Sequence, residues 1–295
     1  MTPRDAGFLL LTSSLGDPTR KPLTVARFRE LTQKARIMER PVQDRELTRQ
    51  DLQAIGCSIE ESNRIIRLLS EEDLLKYYVN QGEKADCYPI TRVDPRYPQS
   101  LRKALGLDAP GTLWYKGHIA LLEKQKIALV GSRQLLEDNR KFAEAVGTAC
   151  ARQGYVLVSG HAQGADSVAE NACLAAGGQV ISVVSSPLQS QPLQENVLFL
   201  AEGGYDISFT PYRALSRNRI IHALGEKTFV AQCTGEKGGT WDGTVKNLRF
   251  GWSSVFCYAD GSATSRELES RGALLIDEKA LQDFSSLQSP TISFL

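Results

Sequence analysis

The chain has 295 residues, 42% of them apolar and 23% charged, with 35 Lys plus Arg against 34 Asp plus Glu for a formal net charge of +1. That length and balance fit one large α/β domain or two domains, and exclude a disordered or fibrous chain. Near-neutrality gives no overall pull toward nucleic acid or acidic lipid, so any polyanion site must be a local patch.

The apolar run Phe8–Leu11 is too short for a signal-peptide core, and no run approaches the roughly 20 residues of a bilayer span. A cytoplasmic protein with no membrane partner is expected. Residues 1–88 read as a helical N-terminal domain. Thr24–Ile37 has apolar positions at helical spacing. Ser58-Ile-Glu-Glu61 has the form of a capping box, in which Ser58 caps early amides and Glu61 reaches back. Ser70-Glu-Glu-Asp73 reads as a second helix start, its acids complementing the helix dipole. Leu52–Ile59, with Gly56 between two helices, reads as plain helix packing, with a hairpin approaching a phosphate backbone as the alternative.

Between Tyr88 and Lys124, prolines, glycines and the aromatics Tyr97, Trp114 and Tyr115 indicate a connecting region with short extended pieces. From Lys126 onward strand, turn and helix alternate. Strands are predicted at Ile127–Val130, Tyr155–Val158, Val180–Val184, Asp206–Phe209, Thr228–Ala231, Val255–Tyr258 and Ala273–Ile276. This alternation predicts an α/β fold: a mostly parallel sheet covered on both faces over 89–288, followed by a tail over 289–295. Ligands of such sheets bind beyond the carboxyl ends of the strands.

Four loops stand at those ends. Gly131, Ser132 and Arg133 offer close backbone approach, a hydroxyl and a guanidinium fork. Ser159-Gly160, Gly164 and Asp166 lead into a helix expected at Ser167–Ala176, whose N-terminus attracts anions. Ser216-Arg217-Asn218-Arg219 is expected to open the next helix. Lys237, Gly238, Gly239 and Thr240 form the last loop. Each alone is routine in an α/β sheet: Asp166 could simply cap its helix, and Arg217 or Arg219 could brace a carboxylate. Together, Arg133, Arg217, Arg219 and Lys237 predict a basic anion-binding cleft.

No G-x-G-x-x-G follows the first strand of this region and no G-x4-G-K-[ST] occurs, so dinucleotide and P-loop readings lack support. Ser159, His161 and Asp166 sit in one short loop, where a nucleophilic triad is not expected. The cysteines Cys57, Cys87, Cys150, Cys173, Cys233 and Cys257 lack metal or redox spacing, and His118, His161 and His222 are scattered; neither a metal nor a cofactor is expected.

Taken in order, Val130-Gly-Ser-Arg133, Ser159-Gly160 with Gly164 and Asp166, and Arg217-Asn-Arg-Ile-Ile221 resemble the DNA-processing protein A (DprA, or Smf) family. Asp94-Pro-Arg-Tyr-Pro-Gln-Ser-Leu101, Ala109-Pro-Gly-Thr-Leu-Trp-Tyr-Lys-Gly117 and Arg271-Gly-Ala273 extend the resemblance over roughly 88–280. It implies an extended Rossmann-like fold in a non-enzymatic, homodimeric protein that binds single-stranded DNA, protects incoming strands in natural transformation and helps load the RecA recombinase. The DNA-binding residues it carries over are Gly131 to Arg133, the Ser159–Asp166 loop and Arg217 to Arg219. Phosphate contacts from arginines and amides fit such sequence-independent binding, and Trp241 and Tyr212 are candidate stacking surfaces.

The chain also departs from the family pattern, as a diverged branch. Ala169-Glu170 stands where an Ala-His pair is usual, and Gln191-Pro-Leu-Gln-Glu-Asn196 lacks a strand-binding lysine. Gln232 replaces an acid, Lys237-Gly-Gly-Thr240 replaces a Ser-Gly-Ser loop, and no C-terminal winged helix is expected after Leu287. A second reading is a nucleotide-binding sensor or a phosphoribohydrolase-like protein, because Gly238-Gly-Thr240 with Gly243-Thr244 loosely resembles that Gly-Gly-x-Gly-Thr loop. Asn247 stands there in place of the enzymes' glutamate. A third is an adaptor whose pocket is vestigial.

Overall fold

The computed structural model describes residues 1–37, 47–235 and 238–288. Five helices come first: α1 (Pro3–Thr12), α2 (Val25–Arg36), α3 (Arg49–Ala54), α4 (Ile59–Leu69) and α5 (Glu72–Lys84). Thr2, Thr24, Thr48 and Ser58 cap the first four by accepting amide hydrogens. The box expected at Ser58 is only half made. Its hydroxyl accepts from the Glu61 amide, but Arg27 takes the Glu61 carboxylate at 2.6 Å. The second start lies within Ser70–Asp73 as expected, with Glu72 and Asp73 in the first turn of α5. The residue before it is Glu71, however, and the Ser70 hydroxyl donates to the Arg67 carbonyl at the end of α4. Leu52, Ile55, Cys57 and Ile65 pack together, so the α3–α4 turn belongs to a small apolar core.

A nine-stranded sheet follows, built from β1 (Tyr88–Thr91), β2 (Thr112–Gly117), β3 (Lys126–Val130), β4 (Val156–Ser159), β5 (Gln179–Val183), β6 (Val197–Glu202), β7 (Lys227–Val230), β8 (Ser254–Tyr258) and β9 (Leu274–Ile276). The spatial order is β1-β2-β6-β5-β4-β3-β7-β8-β9. Strands β3 to β9 pair in parallel, while β1 and β2 add an antiparallel edge against β6. Every residue of β3 is buried, as a central strand covered on both faces requires. The crossover helices are α7 (Glu137–Gln153), α8 (Ala165–Ala175), α9 (Pro211–Leu224), α10 (Gly239–Phe250) and α11 (Ala263–Ser270), with α6 (Gln99–Leu105) between the two edge strands in sequence. One face of the sheet packs Phe142, Val146 and Cys173 of α7 and α8, together with Leu9, Leu75 and Tyr78 of the N-terminal helices. The other packs Leu101, Ile220, Ile221, Leu224 and Leu268.

The region expected to be connecting thus holds two strands and a helix. The strand expected at Asp206–Phe209 is irregular chain, and the real strand is the apolar run Val197–Glu202. Backbone acceptors of the irregular segment are taken locally, because Arg213 donates to the carbonyls of Ile207 at 2.6 Å and Ser208 at 3.2 Å. Likewise α8 begins two residues before the expected Ser167. Residues 216–219 lie inside α9, which starts at Pro211 under a Thr210 cap. The chain moves outward from β3 through β4, β5 and β6, then returns to β7 on the other side of β3. That reversal opens a crevice at the ends of β3 and β7.

Candidate nucleic-acid interface

Val130 and Val230 pair at the carboxyl ends of β3 and β7. Beyond them lies a cleft of about 590 Å³, walled by residues 131–133, Ala162, Asp166, α9 and the start of α10. Its floor is held by backbone packing. A Cβ on Gly131 would stand 2.4 Å from that of Ala165, so only glycine lets β3 meet the start of α8. Gly164 adopts φ +95°, and a side chain there would strike the backbone of Ser132 and Arg133 at 2.5 Å. Across the cleft the Thr240 hydroxyl donates to the Gly131 carbonyl at 2.9 Å, and Ser132 Oγ lies 2.8 Å from Thr234 Oγ1. Asn218 donates to the Gly239 carbonyl at 2.8 Å, fixing α10 against α9.

Of the four cations expected at the cleft, Arg133 and Arg217 line it, while Arg219 turns to Glu202. Arg217 is nearly buried; its Nη1 donates to the carbonyls of Gly160 and, at 2.8 Å, Val183. Its Nη2 stands 3.9 Å from Asp166. Arg219 points along α9 to Glu202, with Nη1 and Nη2 at 3.0 and 2.5 Å from its two oxygens. Lys237 lies outside the described residues. Arg133 is exposed on the cleft wall and has no carboxylate or carbonyl partner among the described residues. The first turn of α10 faces the same cleft; Gly238 gives it no side-chain cap, and Gly239 and Thr240 line the wall. A guanidinium beside an uncapped helix N-terminus is an arrangement that holds a phosphate.

The Ser159–Asp166 loop divides between framework and rim. Ser159 is fully buried and donates to the Leu129 carbonyl at 2.9 Å. Asp166 lines the cleft but accepts from the Ala162 amide, and burial pushes its carboxyl up to about 6 despite Arg217. His161 pairs with Glu170 rather than with Ser159 or Asp166, so these three form no proton relay. Asn247 is fully buried, bonded to His222 and Ser253 at 3.0 Å and 2.9 Å, and takes no part in the cleft. Gln232 accepts the Leu136 amide at 2.8 Å.

Of the two aromatics expected to stack, Tyr212 is 79% exposed on the first turn of α9, whereas Trp241 is half-buried beneath the Arg271 guanidinium. Sequence reasoning missed Phe209, half exposed and lining the cleft with Pro211 and Leu215. Its signal was present: Thr210-Pro211 marks a helix start, which places Phe209 on the approach to a helix rather than in a strand. Among the described residues no group of His, Cys, Asp and Glu could hold a metal ion, and no helix is long and apolar enough to cross a membrane.

Comparison with known proteins agrees with the motif reading. The family model for DNA recombination-mediator protein A matches residues 89–280. The DNA processing protein DprA of Streptococcus pneumoniae is 33% identical over 156 residues, 50% of this chain and 54% of that protein. The DprA of Bacillus subtilis is 30% identical over 178 residues, 57% and 58% of the two chains. The chain therefore spans little more than half the length of these relatives. The crystal structure of Streptococcus pneumoniae DNA processing protein A superposes with a TM-score of 0.72 at 24% identity, covering 98% of this chain and 99% of that one. DNA processing protein A from Helicobacter pylori, described with a unique single-stranded DNA binding mode, superposes at 0.57 and 21% identity, over 66% and 94%. With most of its sheet inside the matched segment, the chain belongs to the DNA recombination-mediator protein A family.

Proposed function

We propose that this protein binds single-stranded DNA through its phosphates, without reading sequence and without chemistry, at the crevice between β3 and β7. The observation that carries the reading is Arg133, exposed and unpaired among the described residues, beside the uncapped first turn of α10. Arg133 and the amides of Gly239 and Thr240 hold a phosphate, and Phe209 offers a base a stacking face. Gly131, Ser132, Gly160, Gly164, Asn218 and Arg217 act behind them, fixing the loops. Lys237 and Gly238 stand next to the same turn in sequence and add to its anion affinity. Family membership and the single-stranded DNA binding of the Helicobacter pylori relative support the ligand class. On this reading the chain serves DNA processing in natural transformation as a cytoplasmic homodimer that protects strands and passes them to the RecA recombinase.

The test is a fluorescence titration of a labelled oligo(dT) over a range of salt. Each phosphate contact contributes about 0.7 to the slope of log affinity on log salt for single strands. Arg133→Ala should lower that slope by about 0.7 and weaken binding. Absence of binding at low salt, or an Arg133→Ala variant that binds like the parent, would sink the proposal. Competition by mononucleotides at low concentration would favour the nucleotide-sensor reading instead.

A further inference from the structure

His161 follows the carboxyl end of β4 and is next in sequence to Ala162 of the cleft wall. It is a non-glycine residue with φ +54°, in the left-handed region that few side-chain-bearing residues enter. The holding group is one carboxylate. Glu170, 5% exposed on α8, accepts the His161 amide at 3.0 Å through Oε1 and lies 2.7 Å from Nδ1 through Oε2. The ring stands edge-on to Phe199 of β6, with centroids 5.3 Å apart, and 42% of the side chain is exposed. With Nδ1 committed to Glu170, Nε2 has no partner among the described residues. On either side of it in sequence, the Gly160 carbonyl is held by Arg217, and Ala162 lines the cleft.

We propose that His161 is a second phosphate-contacting group of the strand-binding cleft, with Glu170 as its positioning residue, so that grip on the strand strengthens as the imidazole becomes charged. A carboxylate on one ring nitrogen sets the tautomer and turns the other outward, where the protonated ring donates to an anion and the neutral ring cannot. This inference rests on the strand-binding reading. The charged groups acting on the ring are Glu170 and Asp166 on α8 and Arg217 on α9, while Phe199 of β6 packs edge-on against it. Hydrogen bonding to Glu170 raises the His161 pKa, against burial and Arg217, which lower it. The charged form therefore persists toward neutral pH and is lost as pH rises through the raised value.

The experiment measures oligo(dT) affinity and its salt slope at pH 6.0 and 8.5 for the parent, His161→Asn and Glu170→Gln. Asparagine tolerates the left-handed backbone, so the loop survives the first change. The parent should bind about fivefold more tightly at pH 6.0, the scale of one exposed ionic contact. Its salt slope should be about 0.7 steeper there. In His161→Asn the slope difference should vanish, and in Glu170→Gln the transition should move to lower pH. The Asp166 carboxyl, pushed up to about 6, titrates in the same direction, so the difference between parent and variant is the quantity that decides. The His161 ring resonance should also titrate at higher pH with oligo(dT) bound. Equal pH and salt dependence in parent and His161→Asn, or a ring titration indifferent to oligo(dT), would overturn the assignment while leaving strand binding intact. A parent that binds nothing at either pH removes both.

Discussion

Arg217 reaches from α9 across the ends of two strands, joining the Gly160 and Val183 carbonyls that terminate β4 and β5. It also supplies the one cation within 4 Å of Asp166 among the described residues, at 3.9 Å. Burial dominates both partners, raising the Asp166 pKa and lowering that of Arg217. Arg217→Ala leaves a buried carboxylate without its countercharge and two carbonyls without a donor. It should cost about 3–5 kcal/mol at pH 8. The Asp166 carboxyl, already raised in the folded state, must rise further in that variant. Protonation then removes the uncompensated charge, so the deficit should shrink between pH 8 and pH 5. Urea unfolding at the two pH values measures this, and a deficit that is constant or grows on acidification refutes it. Arg133→Ala, with no partner to lose among the described residues, should stay within about 0.5 kcal/mol of the parent. From the sequence both arginines looked alike, because what separates them is the carboxylates and carbonyls that folding brings to them. The exposed Arg133 on its Gly-Ser turn was legible; the diversion of Arg219 to Glu202 depends on a strand that the sequence reading missed.

At the scale of elements, the cleft exists because the turn after β3 and the turn before α8 lie against each other. Gly164, with φ +95° and ψ −128°, is in a region that side chains avoid, and its neighbours Ser132 and Arg133 are backbone that cannot step aside. Gly164→Ala should therefore cost on the order of 3 kcal/mol, from conformational strain and overpacking together. Gly177→Ala is the control: φ is +78° there, but nothing lies within 4 Å of the added methyl, so about 1 kcal/mol is expected. Thermal melts of the two variants test the pair, and equal losses would show that packing against β3 contributes nothing. The same turn explains what the sequence showed well. Buried aliphatic runs placed β3, β4, β5 and β7 to within a residue or so, the first two closed by Gly131 and Gly160, since a parallel strand covered on both faces must be apolar throughout. The run Val197–Glu202 has that character too and is followed directly by Gly203-Gly204, but the β-prone Ile207-Ser-Phe-Thr210 competed for the assignment. Local bonds decided it, with Arg213 holding the carbonyls of residues 207 and 208.

For the whole molecule, the question is whether residues 1–88 and 89–288 behave as separate domains, as the change from helical to alternating rhythm predicts. The apolar packing runs across that line. Tyr78 of α5 stands edge-on to Trp114 of β2, with centroids 5.4 Å apart, and lies 4.7 Å from Tyr205. Gly82 is so close that a Cβ would sit 2.7 Å from the Trp114 ring. The Tyr78 hydroxyl donates to Asp206 at 2.6 Å, in the connector that carries Phe209 to the cleft. Burial, followed by that carboxylate, raises the Tyr78 pKa, so the phenol stays protonated as the donor at any working pH. Trp114 is fully buried and would be uncovered if the helices left, which binds the two halves into one cooperative unit. We expect one thermal transition, reported alike by far-ultraviolet circular dichroism and by tryptophan fluorescence. Tyr78→Phe should lower stability by about 1 kcal/mol while keeping that single transition. Gly82→Leu, which drives a side chain into Trp114, should split it into two. Two transitions in the parent protein would show that the helices and the sheet are independent, and Tyr78 would then have no hold on the segment leading to the cleft.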